Sequence, residues 1–107
     1  MRAIFVALLL IATGLAQAAN QAVLTWDYDV VTFPTVTFNV YGAEKGQPKA
    51  VVATTAAGAK TATLTSGLVT GKAYCWQLTA VVDGSESAMS NEACKTFPAP
   101  PTALIAK

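Results

Sequence analysis

The sequence contains no histidine. That absence removes Ser-His and Cys-His nucleophile pairs, imidazole zinc ligands and the usual general base. Charge is also scarce, at 12% of residues. Of the seven basic residues, Arg2 lies in the N-terminal leader, so six lysines face six acids in the remainder. No basic patch results, which argues against nucleic acid as a partner. No Gly-x-Ser-x-Gly elbow is present, and Ser66, Thr70 and Ser85 have no base near them in sequence. The chain therefore reads as having no catalytic residues, no cofactor and no enzyme activity. After the leader no stretch is apolar enough to span a bilayer, and no helical period appears.

What is present begins with that leader. Met1-Arg2 is a short basic start, Ala3 to Leu15 an apolar run, and Ala16-Gln17-Ala18 a small-x-small cleavage site. The reading is a cleaved signal peptide over 1–19, a domain over 20–97 and a proline-rich tail over 98–107. The expected localisation is secreted, periplasmic or cell-surface, with no membrane contact once the signal is removed. An oxidising compartment favours a disulfide between Cys75 and Cys94, the two cysteines of the chain. The domain is small, near the lower limit for an independent core.

The stretch Leu68–Ser90 organises the rest. Tyr74, Trp76, Leu78, Ala80 and Val82 alternate with Cys75, Gln77, Thr79 and Val81. A period of two predicts a strand with one buried face and places Cys75 off that face. Asp83-Gly84-Ser85-Glu86 then turns the chain back towards Cys94, which would set Cys75 opposite Cys94 across a hairpin. Earlier strands are expected over 22–27, 35–41, 50–55 and 60–65, and a last one over 91–97. In the second of these, Val36, Phe38 and Val40 share a face. Pro34 closes the loop that begins at Asp27. Pro98, Pro100 and Pro101 end regular pairing because proline offers no ladder donor. Short strands at this spacing predict an all-β sandwich of two antiparallel sheets. Its expected core is Leu24, Trp26, Phe38, Val40, Leu64, Tyr74, Trp76 and Leu78.

Several of these residues fall in a known pattern. Trp26 ends a strand, Phe38-Asn39-Val40 is aromatic-x-valine, and Leu68 precedes Tyr74 by six residues. Tyr74, Trp76, Leu78 and Ala80 follow in alternation, and a turn with Gly84, Ser85 and Ser87 leads to a final strand. Over about Ala22–Thr96 the chain resembles the fibronectin type III family, in particular small bacterial extracellular members with paired cysteines. The resemblance implies an immunoglobulin-like sandwich in which Leu68 and Tyr74 form a tyrosine corner. It also implies a non-catalytic extracellular module for adhesion or recognition. The family's first strand has no counterpart between the cleavage site and Trp26, so that strand is absent or supplied by the C-terminal tail.

In such a sandwich the loops after Trp26 and after Val82 share one pole. Asp27, Tyr28, Asp29, Phe33, Asp83 and Glu86 are the candidate binding pole, for a protein or carbohydrate ligand. Tyr41 is a further candidate exposed aromatic. Asp27, Asp29, Asp83 and Glu86 are also a weak calcium candidate. Solvated loop acids are the expectation there, because no Asp-x-Asp-x-Asp-Gly loop accompanies them, and no metal site is assigned. Finally, the edge beside the first strand of the domain would be open, and open edges recruit strands. Leu104 and Ile105 make the tail a candidate donor strand, giving an alternative reading as a head-to-tail assembly subunit.

Overall fold

The computed structural model describes residues 5–7 and 20–107. The predicted signal peptide, 1–19, lies outside the described residues apart from Phe5–Ala7. Those three residues form β1. The remaining strands are β2 (Ala22–Thr25), β3 (Thr37–Glu44), β4 (Ala50–Thr54), β5 (Thr61–Leu64), β6 (Ala73–Val82), β7 (Ser85–Glu86) and β8 (Ala93–Thr96). One sheet has the order β1-β2-β5. The other runs β4-β3-β6, and β6 also pairs with β7 and β8. All pairings are antiparallel. The chain is thus an all-β sandwich of two antiparallel sheets.

Period-two patterning builds both inner faces. On β2, Ala22 and Leu24 are buried while Val23 and Thr25 are half-buried on the other side. On β3, Phe38, Val40 and Gly42 turn inward and Thr37, Asn39 and Tyr41 outward. Seven of the eight expected core residues are buried; Leu64 is half-buried and packs against the cluster. The core also takes in Ala22, Val36, Ala80, Ala93 and Phe97. Aromatic rings tie it together: Trp26 lies 5.2 Å from Phe38, and Tyr74 lies 6.0 Å from Phe97.

Two turns show why particular residues stand where they do. Asp83 and Gly84 both adopt positive φ, at 50° and 79°. A two-residue hairpin of that hand follows the right-handed strand twist, and Asp-Gly is among the sequences that tolerate it. At the opposite end, Gly71 N–H bonds Phe97 carbonyl and Phe97 N–H bonds Lys72 carbonyl, which brings the end of β8 beside the start of β6. There Val69 N–H donates to the Tyr74 hydroxyl at 2.9 Å, closing the Leu68–Tyr74 corner. Leu68 packs against the core beneath it.

Two expectations need correction. Cys75 is not outside the packed interior: it is only 2% exposed. β6 is the central strand, flanked by β3 and β8, and the bonded Cys94 covers its second face. The tail does not supply the missing first strand within this chain. Phe5–Ala7 stands in that place, pairing Phe5 with Thr25, Val6 with Leu24 and Ala7 with Val23. Residues 98–107 form no ladder and are exposed throughout. Proline at 98, 100 and 101 offers no ladder donor at those positions.

Gly42 and Tyr74 each yield a test. A Cβ on Gly42 would collide with Cδ1 of the buried Trp76 and stand 2.7 Å from its Nε1. Gly42→Ala is expected to cost about 1–3 kcal/mol, the range for overpacking a core, read as a lower urea midpoint at unchanged slope. Tyr74→Phe removes the acceptor of the Val69 N–H while keeping the ring. A loss of about 0.5–1.5 kcal/mol in the same measurement is expected, the net worth of one such bond.

Candidate binding pole, sheet face and grooves

Cys75 and Cys94 pair directly across the β6–β8 ladder and are joined by a disulfide. Neither thiol is free, so cysteine offers no nucleophile. The cysteines stand 19 positions apart, and for a loop of that size the loop-entropy model assigns the bond about 3 kcal/mol. A disulfide in a small domain is consistent with an extracellular location. Nearby, Lys95 places its ammonium 5.2 Å over the Phe97 ring and donates to Gln21 carbonyl at 3.0 Å. It clasps β8 to the chain entering β2, and burial depresses its pKa. Asn20 fixes the same end by donating to Leu68 carbonyl at 2.9 Å and to the Thr70 hydroxyl at 3.1 Å.

At the other pole, the loop between β2 and β3 is shaped by Asp29. Its carboxylate accepts the Thr32 N–H at 3.0 Å, and the Thr32 contacts hold its pKa below the ordinary value. Its carbonyl accepts the Phe33 N–H at 3.1 Å. Tyr28 is not a free surface aromatic. Its ring meets Phe38 edge-on at 5.4 Å and Phe33 at 6.1 Å, so it anchors the loop to the core. Phe33 is 39% exposed, and Val31 at the loop tip is 90% exposed. Pattern reading passed over Val31. The signal available was a β-branched run, Val30-Val31-Thr32, placed in a loop instead of a strand.

Glu86 does not join the pole's carboxylates. It lies along the outer face of the larger sheet, where one carboxylate oxygen accepts from Asn39 Nδ2 at 3.2 Å and from the hydroxyls of Tyr41 and Thr79. Asn39 in turn accepts from the Thr54 hydroxyl. The contacts from Thr79, then Tyr41, then Asn39 hold the Glu86 pKa below its ordinary value, and Glu86 raises that of Tyr41. Among the described residues, no three of Asp27, Asp29, Asp83 and Glu86 bring ligand atoms within 4.8 Å of one another, so the calcium candidate is not assembled. Among the described residues such a trio is formed by Cys75, Glu92 and Cys94, and its two sulfurs are bonded to each other. Tyr41, the further candidate aromatic, spends its hydroxyl on this network.

Two grooves open along the seams between the sheets. One, of about 500 Å³, lies beside Gly42, Leu64 and Trp76. The other, of about 300 Å³, lies at the upper end of β2 and is lined by Trp26, Tyr28, Phe38, Leu78 and Met89 among others. Its outer wall is unusual. Between β7 and β8 the chain holds to β6 through serine side chains as well as backbone. Ala80 N–H donates to Ser87 Oγ at 2.9 Å and Leu78 N–H to Ser90 Oγ at 2.8 Å. Ser87 and Ser90 return their own N–H groups to Ala80 and Leu78 carbonyls. This pegged segment leaves Met89 half in solvent across from Trp26. The buried Trp26 Nε1–H has no acceptor among the described residues. Leu104 and Ile105, the candidate donor strand, are 94% and 69% exposed and pair with nothing in a ladder.

The Glu86 network sets a pH dependence. Its folded pKa lies below the ordinary 4.5, so its contribution is complete above 4.5 and is lost as pH falls through the lowered value. Glu86→Gln should therefore flatten the acid limb of stability against pH, read by thermal unfolding between about pH 2 and pH 7. An acid limb identical to the parent's would contradict the network.

No protein-family model matches this sequence, and no curated protein sequence does. Solved structures do match. A fibronectin type III-like (Fn3-like) protein from Clostridium thermocellum shares 25% identity over 96% of this chain and 91% of its own, at TM-score 0.60. A myokine structure shares 19% identity over 76% of this chain and 85% of its own, at TM-score 0.60. With the two antiparallel sheets, the closed Leu68–Tyr74 corner and these likenesses together, the chain has a fibronectin type III-like fold.

Proposed function

We propose that this protein is exported, loses its leader and works outside the cytoplasm as a non-catalytic binding or spacer module for adhesion or recognition. The observation that carries the reading is the loop after Trp26. Asp29 holds its turn and Tyr28 braces it against the core, yet its tip offers Val31 and Phe33 to solvent. A loop fixed at its base and apolar at its tip loses little entropy on contact. Tyr28 is spent on internal packing, so a platform of stacked aromatics for sugars is lacking at this pole. A branched aliphatic beside one ring favours a protein ligand over a carbohydrate. Export is supported by the leader's sequence and by the Cys75–Cys94 bond. A non-catalytic role is supported by the missing histidine, the bonded cysteines and a fold that typically carries no catalysis.

Expression with the leader in an export-competent host tests the first half. The expected product lies outside the cytoplasm, begins at Ala19 or Asn20 and has a mass two hydrogen atoms below that of the dithiol. A cytoplasmic product with the leader attached and two free thiols would contradict export. For the second half, the immobilised domain is expected to retain protein from a preparation of the host's outer surface. Val31→Asp combined with Phe33→Asp should abolish that retention, and Val31→Asp alone should weaken it while changing the unfolding free energy by no more than about 0.5 kcal/mol. Equal retention by parent and double variant would remove the loop from the function.

A further inference from the structure

We propose that the outer edge of β2 and the groove beside Trp26 accept the C-terminal strand of a second copy of this chain. The edge takes a strand: Phe5–Ala7 pairs along it, antiparallel, from Thr25 down to Val23. That strand belongs to the leader, so removing the leader vacates the edge. Bare N–H and C=O groups along an edge strand recruit another strand.

The tail carries the matching sequence. Phe5-Val6-Ala7 is a large apolar residue, a β-branched residue and alanine. Leu104-Ile105-Ala106 repeats that order at the other end of the chain. Laid in the same register, Leu104 would face Thr25, Ile105 would face Leu24 and Ala106 would face Val23. Directly paired residues project to the same side of a sheet. Leu24 is fully buried, so Ile105 would turn into the sandwich and Leu104 outward.

The residues before Leu104 suit the groove. In that register Pro100 and Pro101 pass the Trp26–Tyr28 end of β2, where the aromatic-lined groove of about 300 Å³ lies. Proline-rich chain in extended form docks against aromatic grooves with little entropy left to lose. Its carbonyls are acceptors, and the buried Trp26 indole N–H lacks one among the described residues.

The donor must be another copy. β8 ends level with Ala73, at the pole opposite the turn at Asp83-Gly84. The tail therefore leaves at the lower pole, whereas a strand antiparallel to β2 enters from the upper one. On its own domain the tail would have to climb past Thr25 and reverse before Leu104, while three prolines hold that span extended. A copy stacked below with the same polarity receives the tail with no reversal. The contact is head-to-tail, so it repeats into a chain of copies unless it closes in a ring.

The inference uses the export reading only in needing the leader gone. A chain starting at Asn20 tests it apart from export and from any ligand. The buried core lies wholly within 22–97, so this chain and its tail-deleted form both keep it. Sedimentation velocity across a concentration series should show species growing in multiples of one chain. Deleting Pro98–Lys107, or Ile105→Asp, should return the monomer, whereas Leu104→Asp should keep the assembly. Mixing a Val23→Cys chain with an Ala106→Cys chain should give a disulfide-linked heterodimer of one copy of each. A monomer at every concentration, or an assembly that survives tail deletion, would overturn the proposal. So would a Val23–Ala106 cross-link that forms only within a chain carrying both cysteines. Thermal unfolding checks each variant; should Ile105→Asp fail to fold, the deletion and the mixed cross-link decide.

Discussion

Half of this sandwich depends on β2 having a neighbour. β2 and β5 alone make a two-stranded ribbon of four residues each, facing a much broader sheet. An isolated two-stranded ribbon is marginal in water, and a third strand changes that. β2 also carries Ala22 and Leu24 into the core and runs into Trp26. Whatever lies on its outer edge therefore decides how well that side of the core is closed. β1, formed by Phe5–Ala7, fills that place.

The other half rests on β6 and was legible for a plain reason. Ten residues with buried Tyr74, Trp76, Leu78 and Ala80 at every second position announce a strand and its inner face. Asp83-Gly84 announces the hairpin, and Leu68 with Tyr74 announces the corner. What the pattern could not show was burial of the opposite face. Alternation marks Cys75 and Thr79 as outward, and they are outward, yet both are covered: Cys75 by its disulfide partner and Thr79 by Glu86. Period two reports which side of a sheet a residue takes, not whether a neighbour roofs that side. Phe97 escaped the predicted core for a related reason. It follows β8, and the Gly71 and Lys72 backbone contacts fold it in against the Tyr74 ring.

The side-chain partners of the candidate binding residues were not legible in the sequence. Asp29, Tyr28 and Phe33 lie on one loop and shape it through an Asx turn and a ring contact, both of which are local. Glu86 was grouped with them by the position of its turn. It departs because β7 is paired residue for residue with β6, which projects Glu86 onto the outer face towards Tyr41 and Thr79. Long-range register, which no single-sequence pattern encodes directly, separates it from the pole. The serine pegs at 87 and 90 were equally hidden, although they explain how the chain can lose a regular ladder between β7 and β8 and stay attached.

The position of the Val31 loop gives the binding and assembly readings a mutual constraint. The groove begins at Trp26, Asp27 and Tyr28, and Tyr28 is also the residue that braces the loop. A tail seated beside Trp26 would bring the lower pole of its own copy over that loop. In a head-to-tail row every interior copy would then have its loop beside a junction, and one terminal copy alone would present Val31 and Phe33 freely. Ligand capacity would scale with the number of rows and not with the number of chains. A domain that stayed single would instead present one loop per chain, with the β2 edge bare beside it. The same short segment of chain, from Leu24 to Phe33, thus governs both closure of the core and what the upper pole can meet.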